Sequence, residues 1–383
     1  MKLQLVATCL FGLEHLLGEE IEALGYERIH TMDGRVTFLG DEEAITLSNV
    51  FLRFAERIYI KVGPSFEADT FDALFEGVKA LPWADFIGKN DAFPVKGHSI
   101  KSKLTSIPDC QSIVKKAVVD SLSAVYGIRQ FPETGVKYQI EFFIFGDNAT
   151  LMIDTSGVPL HKRGYRKEAN GAPIRETLAA AIATLSRPRE EVLFWDPMCG
   201  SGTIAIEAAM KMANIAPGKS RHFIAETFPF IEKRLWTDAR EEAIAGEVDT
   251  KFDVYASDID ENAVALTIQN AKRAGVNRMI RVMHLDARKI GAPGRRGTIV
   301  TNPPYGERLG TLKEAEALYT DIGKHFRSLS PWQVYIITSH PTFERFYGKR
   351  ADKIRKLYNG MLPCFLYQFF KTEATLKKKQ KQP

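Results

Sequence analysis

The chain has 383 residues, 45% of them hydrophobic and 26% charged, with 52 basic against 47 acidic side chains and a formal net charge of +5. That length exceeds one ordinary domain and the composition is that of a globular protein, which sets aside disordered and fibrous classes. No apolar run reaches membrane-spanning length, the small charge excess identifies no partner by itself, and the scattered Cys9, Cys110, Cys199 and Cys364 form neither a disulfide framework nor a zinc set, so a soluble, metal-free protein of the reducing cytoplasm is expected.

In chain order, residues 3–9 read as a strand. Leu13, Leu16, Leu17, Ile21 and Leu24 recur at helical spacing, predicting a helix over 12–24 that closes at Gly25. Gln4 and Thr8 interrupt the first apolar run and Glu14, Glu19, Glu20 and Glu22 follow at once, which argues against a signal peptide. Residues 35–39 form a strand after an Asp33-Gly34 turn, 71–80 and 112–126 are helices, and 138–145 and 149–154 are strands joined by Gly146-Asp147-Asn148. This is an α+β pattern, in one small domain or two packed together. Residues 156–175 are basic and turn-rich. Beyond them strand and helix alternate: 192–195, 202–213, 254–257, 263–274, 281–284, 298–301, 315–329 and 334–338. That alternation predicts a doubly wound, mostly parallel sheet. Runs 354–358 and 363–371 flank Asn359-Gly360, so the sheet should close with an antiparallel hairpin. Lys377-Lys378-Lys379-Gln380-Lys381 reads as a disordered tail that solvates.

The chemistry concentrates at two corners of that sheet. Asp196 ends a buried strand, and Pro197, Met198, Cys199, Gly200, Ser201, Gly202 and Thr203 turn the backbone into a helix. Ligands of doubly wound folds sit at such corners, and the helix start favours an anionic group. S-adenosylmethionine fits, with its carboxylate at the helix start and its ammonium on Asp196. Gly200-Ser201-Gly202-Thr203-Ile204-Ala205 also satisfies G-x-G-x-x-A, so a nicotinamide cofactor must be weighed. That cofactor expects an acid at a strand end about 20 residues on, where the chain instead has a loop-like Asn214-Ile215-Ala216-Pro217-Gly218. Asp258 and Asp286 follow the next two strands. They could take ribose hydroxyls and the adenine amine, or simply cap helices. Ile259, Ala287 and Thr177 complete the candidate cofactor set.

The second corner is Asn302-Pro303-Pro304-Tyr305. An exocyclic base amine is a poor nucleophile because its lone pair is delocalised into the ring. Two acceptors that take its two protons localise that pair. The Asn302 side-chain oxygen and the Pro303 carbonyl can be those acceptors, held by the stiffness of Pro303 and Pro304, with Tyr305 offering a face for the base. The base must then be single-stranded or flipped. Glu307 and Arg308 can brace this loop or touch phosphate.

In combination, Asp196-Pro-Met-Cys-Gly-Ser-Gly-Thr203, Asp258-Ile-Asp260 and Asn302-Pro-Pro-Tyr-Gly-Glu-Arg-Leu309 resemble class I methyltransferases of the bacterial large-subunit rRNA guanine-N2 type. Ile153-Asp-Thr-Ser-Gly157, Leu160-His-Lys-Arg-Gly-Tyr-Arg166 and Ala172-Pro-Ile-Arg-Glu-Thr-Leu178 match that family's junction, and Ile215-Ala-Pro-Gly218 with Leu235-Trp236 match its insertion. The resemblance spans essentially the whole chain. It implies a ferredoxin-like segment at 1–55, an RNA-binding THUMP domain at 56–155, a basic linker at 156–175, a Rossmann-like methyltransferase domain at 176–372 and a basic tail at 373–383. It implies S-adenosyl-L-methionine as cofactor and RNA, foremost ribosomal RNA, as substrate. Some relatives carry a further C-terminal methyltransferase domain, for which this length leaves no room, so one active site is expected. Within the THUMP-like part Lys96, Lys101, Lys103 and Lys115 cluster, and the linker adds Lys162, Arg163 and Arg166. Such a basic stripe suits phosphate. Adenine-N6 methylation of RNA or DNA, a nonenzymatic RNA-binding assembly factor and a nucleotide-dependent dehydrogenase are the alternatives. Oligomeric state is not encoded in any of these patterns.

Overall fold

Two sheets organise the chain, which the computed structural model describes at residues 2–167, 174–305, 311–329 and 331–370. The first half contains β1 (Leu3–Cys9), α1 (Glu14–Ala23), β2 (Arg28–Met32), β3 (Arg35–Gly40), α2 (Glu42–Phe51), β4 (Ala55–Lys61), β5 (Phe66–Glu67), α3 (Phe71–Lys79), β6 (Val95–Ile100), α4 (Ile107–Tyr126), β7 (Ile140–Phe145) and β8 (Asn148–Asp154). The second contains α5 (Glu176–Leu185), β9 (Leu193–Asp196), α6 (Thr203–Met212), α7 (Lys233–Ala245), β10 (Val254–Asp258), α8 (Glu261–Arg273), β11 (Ile280–His284), β12 (Gly297–Thr301), α9 (Leu312–Ser328), β13 (Gln333–Thr338), α10 (Phe343–Tyr347), β14 (Lys353–Asn359) and β15 (Leu362–Phe369). No described helix is long and apolar enough to cross a membrane.

The N-terminal half shares one eight-stranded sheet, ordered β2-β3-β1-β4-β8-β7-β6, with β5 paired to β8. Strand β4 bonds antiparallel to β1 on one side and to β8 on the other, so the boundary expected at residue 55 falls at the strand that joins the two halves of this sheet. The second sheet runs β11-β10-β9-β12-β13-β15-β14. Its first five strands are parallel and β15 and β14 are antiparallel, the doubly wound sheet with a closing hairpin that the alternation predicts. Along β9, Phe194 packs into a core continuous with the N-terminal half, while Leu193 and Trp195 face the core under α9 and α10. That two-residue alternation between two apolar faces is the requirement of a sheet covered by helices on both sides.

Polar contacts join the halves. The 215–218 segment docks on α2: Gly218 N–H donates to Val50 O at 2.9 Å, and a Cβ at Gly218 would lie 2.5 Å from Asn49 O. Beside it Glu207 of α6, wholly buried, lies 3.8 Å from Arg53 and 3.5 Å from Arg163 and accepts from Tyr165 Oη at 3.0 Å. Removing one member of such a buried set leaves uncompensated charge. Glu207→Ala, which strands Arg53 and Arg163 facing each other, is expected to lower unfolding free energy by about 3–5 kcal/mol in urea denaturation. A loss under about 1 kcal/mol would show that the two arginines find other partners.

Candidate active site

Asp196 is 1% exposed at the carboxyl end of β9, and Thr301, ending the adjacent β12, donates from Oγ1 to its Oδ1 at 2.8 Å. Burial pushes this carboxyl up to about 7, only partly opposed by the Thr301 and Met198 hydrogen bonds. A carboxylate held beside hydroxyl and amide donors, with no described cation paired to it, suits a cationic ligand group.

The glycine turn is tied to its neighbours. Gly200 and Gly202 adopt φ of 53° and 78°, in the left-handed region, and a Cβ on Gly202 would stand 2.7 Å from Thr267 Cγ2. Thr267 Oγ1 donates to Gly200 O at 2.9 Å and Asn270 Nδ2 to Ser201 O at 3.0 Å, so α8 grips the turn. Gly200 N–H donates to Asp258 Oδ2 at 2.9 Å, and Asp258 Oδ1 accepts from Asp260 N–H at 3.1 Å. Asp286 caps the short helix after it, accepting from Arg288 N–H at 2.9 Å, and also grips the Arg288 guanidinium, at 3.0 Å to Nε and 2.6 Å to Nη2. Those Arg288 hydrogen bonds hold Asp286 below the usual carboxylate range.

In the second corner Tyr305 Oη donates to Asn302 Oδ1, and Tyr319 Oη of α9 donates to Pro304 O at 2.7 Å. The proline loop is therefore tethered to α9. The Asn302 oxygen expected to accept from an amine is here occupied by a hydroxyl of its own turn. Residues 306–310, with Glu307 and Arg308, lie outside the described residues, as do 168–173 and the lysine-rich 371–383.

One cavity of about 550 Å³ joins the two corners. Asp196, Pro197, Met198, Cys199, Gly200, Ser201 and Thr203 line it together with Asp258, Ile259, Asp286, Ala287 and Asn302, Pro303, Pro304 and Tyr305. Gly202 stands behind that surface, against Thr267. Arg288, Glu314 and Asn359 also line the cavity and lie outside the sequence-based set. Arg288 and Glu314 lie beside motifs rather than in them, and Asn359 had only a turn signal.

Three expected ligand contacts require correction. Thr177 is fully buried and donates to Glu56 Oε1 at 2.5 Å, so it braces α5 against β4 and does not reach the cavity. Arg163 is 7% exposed, donates to Leu160 O at 2.7 Å and to Arg53 O, and faces Glu207; desolvated and pinned, it is a structural cation with no face for RNA. Arg166 bonds Ile174 O at 2.9 Å, Thr203 Oγ1 at 3.2 Å and Glu176 at 2.9 Å, which fixes the start of α6 from inside. Lys96, Lys101, Lys103 and Lys162 are exposed, the first on β6 at the open edge of the N-terminal sheet. Lys103 pairs with Asp69 at 2.9 Å, and Lys115 is half-buried between Glu133 and the Phe93 ring, 3.6 Å from its centroid. Among the described residues no group of three or more His, Cys, Asp or Glu could hold a metal.

Three family models match successive parts of the chain. Residues 163–368 match the RMKL-like methyltransferase domain, 4–59 the RlmL ferredoxin-like domain and 68–154 the THUMP domain. YpsC of Bacillus subtilis, provisionally named an RNA methyltransferase, is 44% identical over 99% of this chain and 98% of its own length. The ribosomal RNA large subunit methyltransferase K/L of Psychromonas ingrahamii is 33% identical over 94% of this chain, which spans about half, 49%, of that longer protein. Among solved structures, a possible methylase of Clostridium difficile superposes with a TM-score of 0.93 at 45% identity, covering 97% of this chain and 99% of the other. SMU.472, a provisionally assigned methyltransferase solved with S-adenosylhomocysteine, superposes with a TM-score of 0.91 at 41% identity, covering 97% and 99%.

Proposed function

The chain belongs to the RMKL-like methyltransferase family; it is an S-adenosylmethionine-dependent RNA methyltransferase, and we propose that its acceptor is the exocyclic 2-amino group of a guanine in large-subunit ribosomal RNA. The observation that carries this reading is the Thr301–Asp196 hydrogen bond, which fastens the proline corner to the glycine corner on adjacent strands and opens both into one cavity. With the family established, the dehydrogenase alternative falls away.

The cavity's donor set fits the cofactor. Asp196 would take the ammonium, the 199–203 turn the carboxylate and Asp258 the ribose hydroxyls, with Asp286 reaching the adenine amine once Arg288 shares it. S-adenosylmethionine supplies an electrophilic methyl on a sulfonium that leaves as a neutral thioether. The chain's own work is orientation. Asn302 Oδ1 and the Pro303 carbonyl accept the two amine protons and pull the nitrogen's lone pair out of conjugation. To do so Asn302 must exchange the Tyr305 hydroxyl for the base. That exchange frees Tyr305 to lie against the base face. Tyr319 keeps the Pro304 carbonyl fixed while it happens. The exposed Lys96, Lys101, Lys103 and Lys162 are left as the phosphate contacts of this reading.

Digestion of ribosomal RNA to nucleosides, from cells with and without the gene, tests the acceptor. Loss of one N2-methylguanosine is the expected result. Loss of N6-methyladenosine instead would overturn the guanine assignment while leaving the methyltransferase intact.

A further inference from the structure

A second cavity, of about 480 Å³, opens at the other end of the same strands. Asp196 and Asn302 stand at the carboxyl ends of β9 and β12. This groove lies at their amino ends, where Val192, Gly297 and Gln333 line it. Helix α1 of the N-terminal half supplies one wall. With strands of four or five residues, the two sites lie about 15 Å apart through the sheet.

The groove's chemistry is one-sided. Arg187, Arg189, Arg296, Lys353 and Arg355 all line it, and none of the five is ion-paired to a carboxylate among the described residues. Its single lining carboxylate, Glu19, is engaged by His15 Nε2 at 3.3 Å. Gathering five cations in a concave surface raises their mutual repulsion, because the low-dielectric walls focus the field. Buried donors add to the imbalance. Gln368, 5% exposed, has no acceptor for Nε2, and neither do Arg355 Nε and Thr184 Oγ1, all three in residues that line this groove. A guanidinium Nε and an amide Nε2 can only donate, and these atoms are closed off from solvent, so they deepen the donor excess under the groove while the five cations are the groups that meet a ligand. Arg187 also holds a left-handed backbone at φ 54°, uncommon for a long side chain.

We propose that this groove is a second binding site, for a phosphate-bearing ligand, distinct from the methyl-transfer cavity. A phosphate brings two or more acceptor oxygens and the negative charge that five unpaired cations lack, and arginine forks match its geometry. The phosphate has two sources, a backbone phosphodiester of the RNA substrate or the free phosphates of a nucleotide. The first source rests on the RNA reading above; the second does not.

The double variant R187S/R296S separates them. Both side chains are exposed and unpaired, so the fold and S-adenosylhomocysteine affinity are expected to stay unchanged, which thermal unfolding and calorimetry verify. One arm measures binding of a large-subunit rRNA transcript from 50 to 200 mM salt. An RNA phosphate in the groove makes the log–log slope shallower by about 1–2 and weakens affinity about tenfold. The other arm titrates inorganic pyrophosphate. Binding by the wild type that the variant loses, with RNA binding unaltered, assigns the groove to a free phosphate ligand. Should the wild type bind pyrophosphate but no RNA, and the variant lose the pyrophosphate, the acceptor reading fails and the groove assignment stands. Indistinguishable behaviour of the two proteins in both arms overturns the proposal. R355Q, which keeps one donor at the buried position, should reproduce the direction of the effect.

Discussion

Asn302→Ala lowers kcat for methyl transfer to RNA by about 10²- to 10³-fold, the loss expected when one preorganised partner of a developing charge is removed. S-adenosylhomocysteine affinity stays within about twofold, because the cofactor contacts argued above come from the 196–203 turn, Asp258 and Asp286. On the phosphate contacts proposed above, RNA affinity changes little. Single-turnover methylation with saturating RNA reads the chemical step directly. Tyr305→Phe supplies the control. It removes the hydroxyl that occupies Asn302 Oδ1 and keeps the ring, so it should retain kcat within about tenfold. If Asn302→Ala retained near-wild-type kcat, or if Tyr305→Phe were as damaging, the amide oxygen would not be the acceptor of the amine proton.

Asp196→Asn is expected to separate stability from function. The Asp196 carboxyl sits at about 7 in the folded protein, raised by burial, against an ordinary value near 3.9 in the unfolded chain. The folded state therefore holds this proton more tightly. Below about pH 4 both states are protonated and stability is unaffected. Between pH 4 and 7 the unfolded carboxyl ionises first and stability falls; above 7 the full penalty persists. Asparagine abolishes that dependence. The variant should be about 2–4 kcal/mol more stable than wild type at pH 8 and equal to it near pH 4, in urea denaturation at each pH. Binding runs the other way. An ammonium requires the ionised carboxylate, so wild-type affinity for S-adenosylhomocysteine should fall about tenfold per pH unit below 7. The variant binds about 10- to 100-fold more weakly at pH 8, with that slope absent. Equal stability at pH 8 would mean that burial does not raise the Asp196 carboxyl; an unchanged affinity slope in the variant would mean that Asp196 is not the cofactor's counter-charge.

The parallel sheet was legible because each of its strands is a short apolar run between turn residues, and because Asp196, Asp258, Asp286 and Asn302 recur at successive strand ends. Helices α2 and α5 were not. In α2, Thr46, Ser48 and Asn49 are buried among the apolar Ala44, Ile45 and Val50: Asn49 donates to Thr155 Oγ1 at 3.0 Å and accepts from Ser156 Oγ at 2.7 Å, so polar positions interrupt the apolar period. In α5 residues 176–183 are all buried, and a helix enclosed on every side shows no period. Helix α4 begins at Ile107 rather than 112 because Pro108, which reads as a breaker, sits in the first turn where its missing N–H is not needed. Strand β6 carries exposed Lys96, His98 and Ile100 on alternate positions and Gly97 between them, so its pattern is that of a loop until β7 pairs with it. Arg163 and Arg166 were misread for one reason. A basic linker looks the same in sequence whether its guanidiniums face water or the buried Glu207 and Glu176, and only the fold supplies those carboxylates.

Because β4 bonds to strands on both sides, the two N-terminal segments cannot swivel independently, and Glu207 with Gly218 clamps them to the catalytic half. The gap between the lysine-bearing edge and the nucleophile-accepting cleft is then a constant of the molecule. If the exposed lysines dock RNA as proposed, a nucleotide qualifies by standing at that fixed reach from a docked landmark, as under a caliper, so the letters around it matter less than the RNA's three-dimensional layout.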